Sequence, residues 1–65
     1  MAEPARVGKR GTVVTRLTPA GKAQFGDQLV DVITDGELVP AGAEVRVVEV
    51  SGNHVLVQPL NQDGS

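Results

Sequence analysis

Turn-forming residues punctuate this chain about every ten positions, and this spacing limits what it can fold into. The runs between the turns are short and rich in valine and threonine, which favours strands over helices. The chain has 65 residues and no cysteine, so neither a disulfide nor a thiolate metal site can hold it together. We therefore expect an all-β domain whose stability comes from one compact sheet.

Five strands are predicted from these runs, at residues 11–18, 22–25, 28–34, 44–50 and 54–60. The first two are joined through Pro19, Ala20 and Gly21, which is typical of a type I turn with a bulge in which Gly21 takes a positive φ. Residues 26–27, Gly-Asp, predict the next turn. The stretch "ELVPAGA" at residues 37–43 predicts either one helical turn or an irregular crossover.

The last two strands are predicted to form a hairpin with a two-residue Gly-Asn loop at residues 52–53. This loop sets Val50 opposite Val55. Farther from the loop, the same register sets Val48 opposite Val57, so the four valines share one face of the hairpin.

A second group of apolar residues falls on the other face of this hairpin. A barrel this small can fill only one interior, so we predict that the second group either caps the barrel end or packs under the N-terminal segment, or else faces a protein partner. The predicted partner surface comprises Val45, Val47, Leu56 and Leu60. The predicted structural turn residues are Pro19, Gly21 and Gly52.

Five short strands with regular turns favour a closed barrel over an open sheet, because exposed sheet edges invite aggregation. We predict a five-stranded OB-fold β-barrel over residues 8–60, with an SH3-like small barrel as the alternative. Residues 1–7 and 61–65 are predicted to be a flexible N-terminal segment and a flexible tail.

Charge is unevenly distributed along the sequence. Residues 1–22 carry five bases against one acid, whereas residues 23–65 carry seven acids against one base. The bases predicted to contact an anion are Arg10, Arg16 and Lys22. Binding of single-stranded nucleic acid is the alternative function. It is disfavoured because the chain offers one aromatic residue for base stacking, Phe25.

No residue pattern predicts a catalytic residue, a cofactor or a metal site. The run "TPAGK" at residues 18–22 lacks the paired glycines of a phosphate-binding loop. His54 has no cysteine to join it as a metal ligand and is predicted to be a solvent-facing turn residue. The two serines, Ser51 and Ser65, belong to no recognised nucleophile motif. We expect a protein that is not an enzyme.

Three runs carry a family resemblance: "GKRG" at 8–11, "TRLTPAGK" at 15–22 and "LVDVITDGELVPAGAEVRVVEVSGNHVLVQPL" at 29–60. Through these runs the chain resembles the C-terminal soluble domain of NfeD-like proteins over roughly residues 7–60. The sequence departs from the family pattern at Thr18, where an arginine is usual, and this departure weakens any anion contact assigned to that position.

The resemblance implies a non-catalytic protein-interaction domain with an OB fold. In the family, this domain follows transmembrane helices and works beside a stomatin- or prohibitin-like (SPFH-type) membrane protein. For this chain we expect such a partner, or self-association as a homo-oligomer. Long members also carry a ClpP-like serine protease domain, which we expect to be absent from this chain. The resemblance implies a soluble domain on the cytoplasmic face, linked to the membrane only through segments outside this chain.

Overall fold

The computed structural model describes residues 6–60, which form a closed barrel of five strands. The strands are β1 (Arg10–Thr15), β2 (Ala20–Phe25), β3 (Gln28–Ile33), β4 (Glu44–Ser51) and β5 (His54–Pro59). The predicted flexible segments, 1–7 and 61–65, lie outside the described residues except for Arg6 and Val7.

The order of the strands around the barrel is β1-β2-β3-β5-β4, and β4 closes the ring by pairing with β1. Neighbouring strands are antiparallel, except that β3 and β5 run parallel and pair at Ile33 and Leu56. The five-stranded OB-type barrel predicted from the sequence is therefore confirmed. Between β3 and β4 the described chain forms no helical turn, so the irregular crossover is the correct alternative.

The barrel interior is filled by apolar side chains that are each at most 2% exposed. Inward residues alternate with outward ones along β1 and along the first half of β4, as expected for strands with one buried face. The buried set comprises Val13, Leu17, Ala23, Phe25, Val32, Val39, Val45, Val47 and Val57. Branched aliphatic side chains thus supply most of the core.

The irregular crossover is hydrogen-bonded to the barrel at Val39 and is closed by internal hydrogen bonds at its start. Val39 and Leu17 exchange two backbone hydrogen bonds, of 2.9 and 3.1 Å. At the start of the crossover, the hydroxyl of buried Thr34 donates to the carbonyl of Glu37 at 2.7 Å and accepts from the amide of Gly36 at 3.2 Å. These bonds satisfy backbone groups that no strand pairs, so the crossover can cover the open end of the barrel.

The turn predicted at residues 26–27 and the two-residue hairpin loop predicted at residues 52–53 are both present. Gly26 and Gly52 have φ angles of 64° and 56°, and the residue after each has a negative φ. This is the pattern of a type II′ turn, whose twist matches the flanking strands. The second turn sets Ser51 opposite His54, so the predicted Gly-Asn loop is confirmed.

The predicted turn between β1 and β2 is wrong in detail. Ala20 and Gly21 already belong to β2, and Gly21 does not have a positive φ. Glycine is required there for another reason, because an added Cβ would lie 2.7 Å from the carbonyl oxygens of Thr15 and Arg16. The connection consists of residues 16–19, in which the Thr18–Pro19 peptide is cis.

Candidate functional site

Two of the four residues predicted to form a partner surface lie in the core. Val45 and Val47 are 0% exposed, so a partner cannot reach them while the barrel is folded. The prediction is wrong for these two residues. Leu56 and Leu60 are half-buried, and a contact between them and a partner stays a prediction.

A β-bulge explains this error. The predicted register holds at Val50 and Val55, but it shifts between Val47 and Glu49, so that Val57 pairs with Val47 and not with Val48. A bulge places two residues of one strand opposite one residue of the other and reverses the faces beyond it. Val47 and Val57 therefore share the interior.

The three predicted anion contacts do not converge. Arg10 lies at the start of β1, Arg16 lies in the β1–β2 connection, and Lys22 lies on β2 opposite Thr15 at the far end of β1. Lys22 Nζ donates to Asp31 Oδ1 at 2.6 Å, so part of its charge is already neutralised. A common anion site built from all three bases is not present in this fold.

A groove of about 420 Å³ lies between the outer face of the β2–β3 hairpin and the tip of the β4–β5 hairpin. The Lys22–Asp31 ion pair lies on one side of the groove, and Asn53 and His54 lie on the other. In OB barrels, this face and the loops beside it are the usual place for ligands. The groove is therefore the first candidate for a functional site.

The strand beside this groove has an incomplete ladder. Gln28 pairs with Phe25 across a two-residue turn, so the even-numbered residues of β3 direct their backbone groups towards β2. The amide of Thr34, which donates to the carbonyl of Pro19 at 3.0 Å, continues this alternation. The backbone groups of the odd-numbered residues therefore point away from β2.

Within residues 6–60, β5 pairs with this outer side of β3 at one position, Ile33 opposite Leu56. The N–H and C=O groups of Leu29 and Asp31 are therefore left without a strand partner in the described chain. We call these groups of Leu29 and Asp31 the β3 edge. An unpaired edge of this kind can accept an extended segment of another chain by strand addition.

The surroundings of the β3 edge indicate which segment would fit. Leu29 is 54% exposed and gives the edge an apolar contact point. Four exposed acids lie on β3 and in its flanking turns, at Asp27, Asp31, Asp35 and Glu37. The arrangement is suited to binding an extended segment that carries apolar and basic side chains.

The described residues contain no arrangement for metal or stacking chemistry. No group of three or more His, Asp or Glu side chains in residues 6–60 is positioned to hold a metal ion. Phe25, the sole aromatic residue of the sequence, is buried in the core and cannot stack on a base. In the described part of the chain, no helix has the length and hydrophobicity to cross a bilayer.

Sequence reasoning missed the β3 edge. The sequence predicts a strand at residues 28–34 but not which of its neighbours pair with it. Whether a neighbouring strand covers that strand's outer edge depends on how β3 and β5 are staggered in the closed barrel. No local sequence pattern encodes this stagger.

A family model described as NfeD-like C-terminal, partner-binding domain matches residues 4–59 of the chain. Over 54 residues the chain is 30% identical to membrane protein NfeD1b of Bacillus subtilis, and the match covers 83% of this chain but 12% of that protein. The chain thus spans a small part of the length of this relative.

Two solved structures resemble the barrel. The C-terminal domain of stomatin operon partner protein 1510-C from Pyrococcus horikoshii superposes with a TM-score of 0.78 at 29% identity, over 83% of this chain and 86% of that one. The soluble domain of a membrane protein implicated in regulation of membrane protease activity, from Corynebacterium glutamicum, gives 0.72 at 18% identity, over 80% and 87%. The second likeness concerns the fold alone.

Proposed function

Because this chain belongs to the family of NfeD-like C-terminal, partner-binding domains, we propose that it is a non-catalytic interaction domain that binds a stomatin-type membrane protein. The observation that carries this proposal is its 29% identity and close structural match to the domain of a stomatin operon partner protein. We also propose that the domain belongs to a larger membrane protein and faces the cytoplasm.

The β3 edge is the proposed contact with the partner. Strand addition there supplies backbone hydrogen bonds from Leu29 and Asp31, and the register of those bonds fixes where the partner's side chains lie. Leu56 pairs with Ile33 at the point where the edge ends, so its half-buried side chain can extend the apolar contact. The acids along β3 favour a basic partner segment over an acidic one.

The test is capture of the stomatin-like protein of the same organism by the immobilised chain. Leu29→Pro removes the outward N–H without breaking a bond to β2, and proline is tolerated at sheet edges. Leu29→Ala is the matched control, because it shortens the side chain but keeps the N–H. We expect Leu29→Pro to abolish capture and Leu29→Ala to weaken it, with both variants retaining the circular dichroism spectrum of a folded barrel.

Other outcomes contradict parts of the proposal. Capture by Leu29→Pro at the level of the unaltered chain would exclude strand addition at the β3 edge. Failure of the unaltered chain to capture the stomatin-like protein would reject the proposed partner. If the chain then elutes as a dimer, and the dimer is lost in Leu29→Pro, the edge serves self-association.

A further inference from the structure

The fold brings together basic residues that are distant in the sequence. Arg10 of β1 lies directly opposite Arg46 of β4, and both side chains are exposed. Like charges placed directly opposite each other destabilise a sheet. Among residues 6–60, no carboxylate lies within 4.0 Å of either guanidinium group. On β4 itself, the exposed acids are Glu44, two residues before Arg46, and Glu49, three residues after it.

A turn before β1 adds two more bases to this pair. The amide of Lys9 donates to the carbonyl of Arg6 at 2.9 Å, and the turn is docked on β4 by two hydrogen bonds with the backbone of Val47, of 2.8 and 2.9 Å. Val7 lies at the tip of the turn and is 64% exposed. We call Arg6, Lys9, Arg10 and Arg46 the basic seam.

Four of the exposed acids lie on the other side of the barrel, whereas Glu44 and Glu49 lie on β4 itself. In the ring β1-β2-β3-β5-β4, the strand across from the β1–β4 pair is β3. The exposed acids Asp27, Asp31, Asp35 and Glu37 lie on β3 and in the turns on either side of it. The β1–β4 side thus carries four bases against the two acids of β4, and the β3 side carries four acids.

We propose that the basic seam binds the surface of an anionic lipid bilayer, with Val7 entering the headgroup region. Clustered bases are attracted to anionic lipids, and an exposed apolar residue among them adds contact with the acyl boundary. Nucleic acid fits less well, because the sole aromatic residue, Phe25, is buried and the exposed tip residue is aliphatic. On a bilayer, the seam leaves the β3 edge facing the water.

The test is flotation of the chain with vesicles of phosphatidylcholine alone and with vesicles of phosphatidylcholine and phosphatidylglycerol in equal parts, at low and moderate salt. We expect binding to the anionic vesicles alone and weaker binding as salt rises. The double variant Arg10→Gln, Arg46→Gln should lower the partition coefficient about tenfold or more. The matched control Arg16→Gln, Lys22→Gln removes the same charge away from the seam and should change binding far less.

A third variant, Val7→Asn, keeps every charge and should weaken vesicle binding without affecting stability. A single-stranded oligonucleotide at the same phosphate concentration serves as the competing ligand. Three results overturn the proposal: no binding to anionic vesicles at low salt, equal losses in the two double variants, or binding to the oligonucleotide in preference to the vesicles. Thermal unfolding of each variant establishes that the losses do not come from misfolding.

Discussion

The basic seam and the β3 edge lie on opposite sides of one small barrel and offer different means of recognition. At the seam, β1 and β4 are paired, so side-chain charge is what remains for a ligand to contact. At the β3 edge, the described ladder is incomplete and backbone groups are available. Charge contacts tolerate many arrangements and weaken with salt, whereas backbone pairing imposes a register.

This difference matches the two ligands that we propose. A lipid surface has no fixed register, and a cluster of exposed bases suits it. A protein segment has a defined sequence, and an unpaired strand edge can align it. A single 65-residue chain can therefore serve two ligands without a deep pocket or a second domain.

Val47→Asp should give the largest effect, because it should unfold the barrel and so remove both the basic seam and the β3 edge. Val47 lies in the interior shared by the two sides, and an unpaired buried carboxylate costs about 4 kcal/mol or more. We expect loss of the folded circular dichroism signal together with partner capture and vesicle binding. Val50→Asp makes the same change at an exposed position of β4 and should remain folded. A cooperatively folded Val47→Asp variant would contradict the core assignment.

Gly21→Ala should have the next largest effect. It changes β2, the strand that pairs with β3. Its Cβ would press on the carbonyl oxygens of Thr15 and Arg16, which are backbone atoms and cannot rotate away. We expect a loss of about 1–3 kcal/mol in the free energy of unfolding. Urea denaturation measures it, with Ala20→Gly as the neighbouring control. Equal stability of the two variants would mean that the close approach can relax.

Arg46→Glu should separate stability from binding at the seam. It turns the like-charge pair with Arg10 into an opposite-charge pair, which should stabilise the barrel by about 0.2–1 kcal/mol. Vesicle binding should fall at the same time. Arg16→Glu reverses a charge outside the strands and should give no such gain in thermal unfolding. A less stable Arg46→Glu variant would indicate that the arginines do not repel each other.

Lys22→Gln should have the smallest effect. The ion pair with Asp31 is exposed to solvent, and such pairs contribute about 0–1 kcal/mol. Removing the base makes the β3 side more negative, so capture of a basic partner should increase slightly. Lys9→Gln makes the same charge change on the seam and should lower vesicle binding instead. A salt-independent loss of stability in Lys22→Gln would show that the pair supports the groove structurally.

The sequence predicted features that depend on a few neighbouring residues. The Gly-Asp and Gly-Asn turns follow from dipeptides that favour type II′ geometry, and both are present. Runs rich in valine and threonine predicted strands, and five short strands with regular turns predicted a barrel. These features rest on local backbone preference.

Features that depend on pairing between distant segments were not predictable in this way. Val47 was predicted to lie on a surface, because the sequence does not show the bulge in β4 that reverses the faces beyond it. Gly21 was predicted to have a positive φ, which is wrong, and the close approach of the carbonyl oxygens of Thr15 and Arg16 to its Cα was not predicted. The basic seam was not predicted either, because Arg46 lies opposite Arg10 only through the pairing of β1 with β4, which are distant in the sequence.

The alternation of backbone groups along β3 has a consequence for hydrogen exchange. The amides of Val30 and Val32 point into the β2 ladder, whereas those of Leu29 and Asp31 point outward. Exchange with deuterated water should therefore be slow and fast at alternate residues of a single strand. A bound partner strand should slow the fast amides to the rate of their neighbours, while a lipid surface on the opposite side should leave the alternation intact.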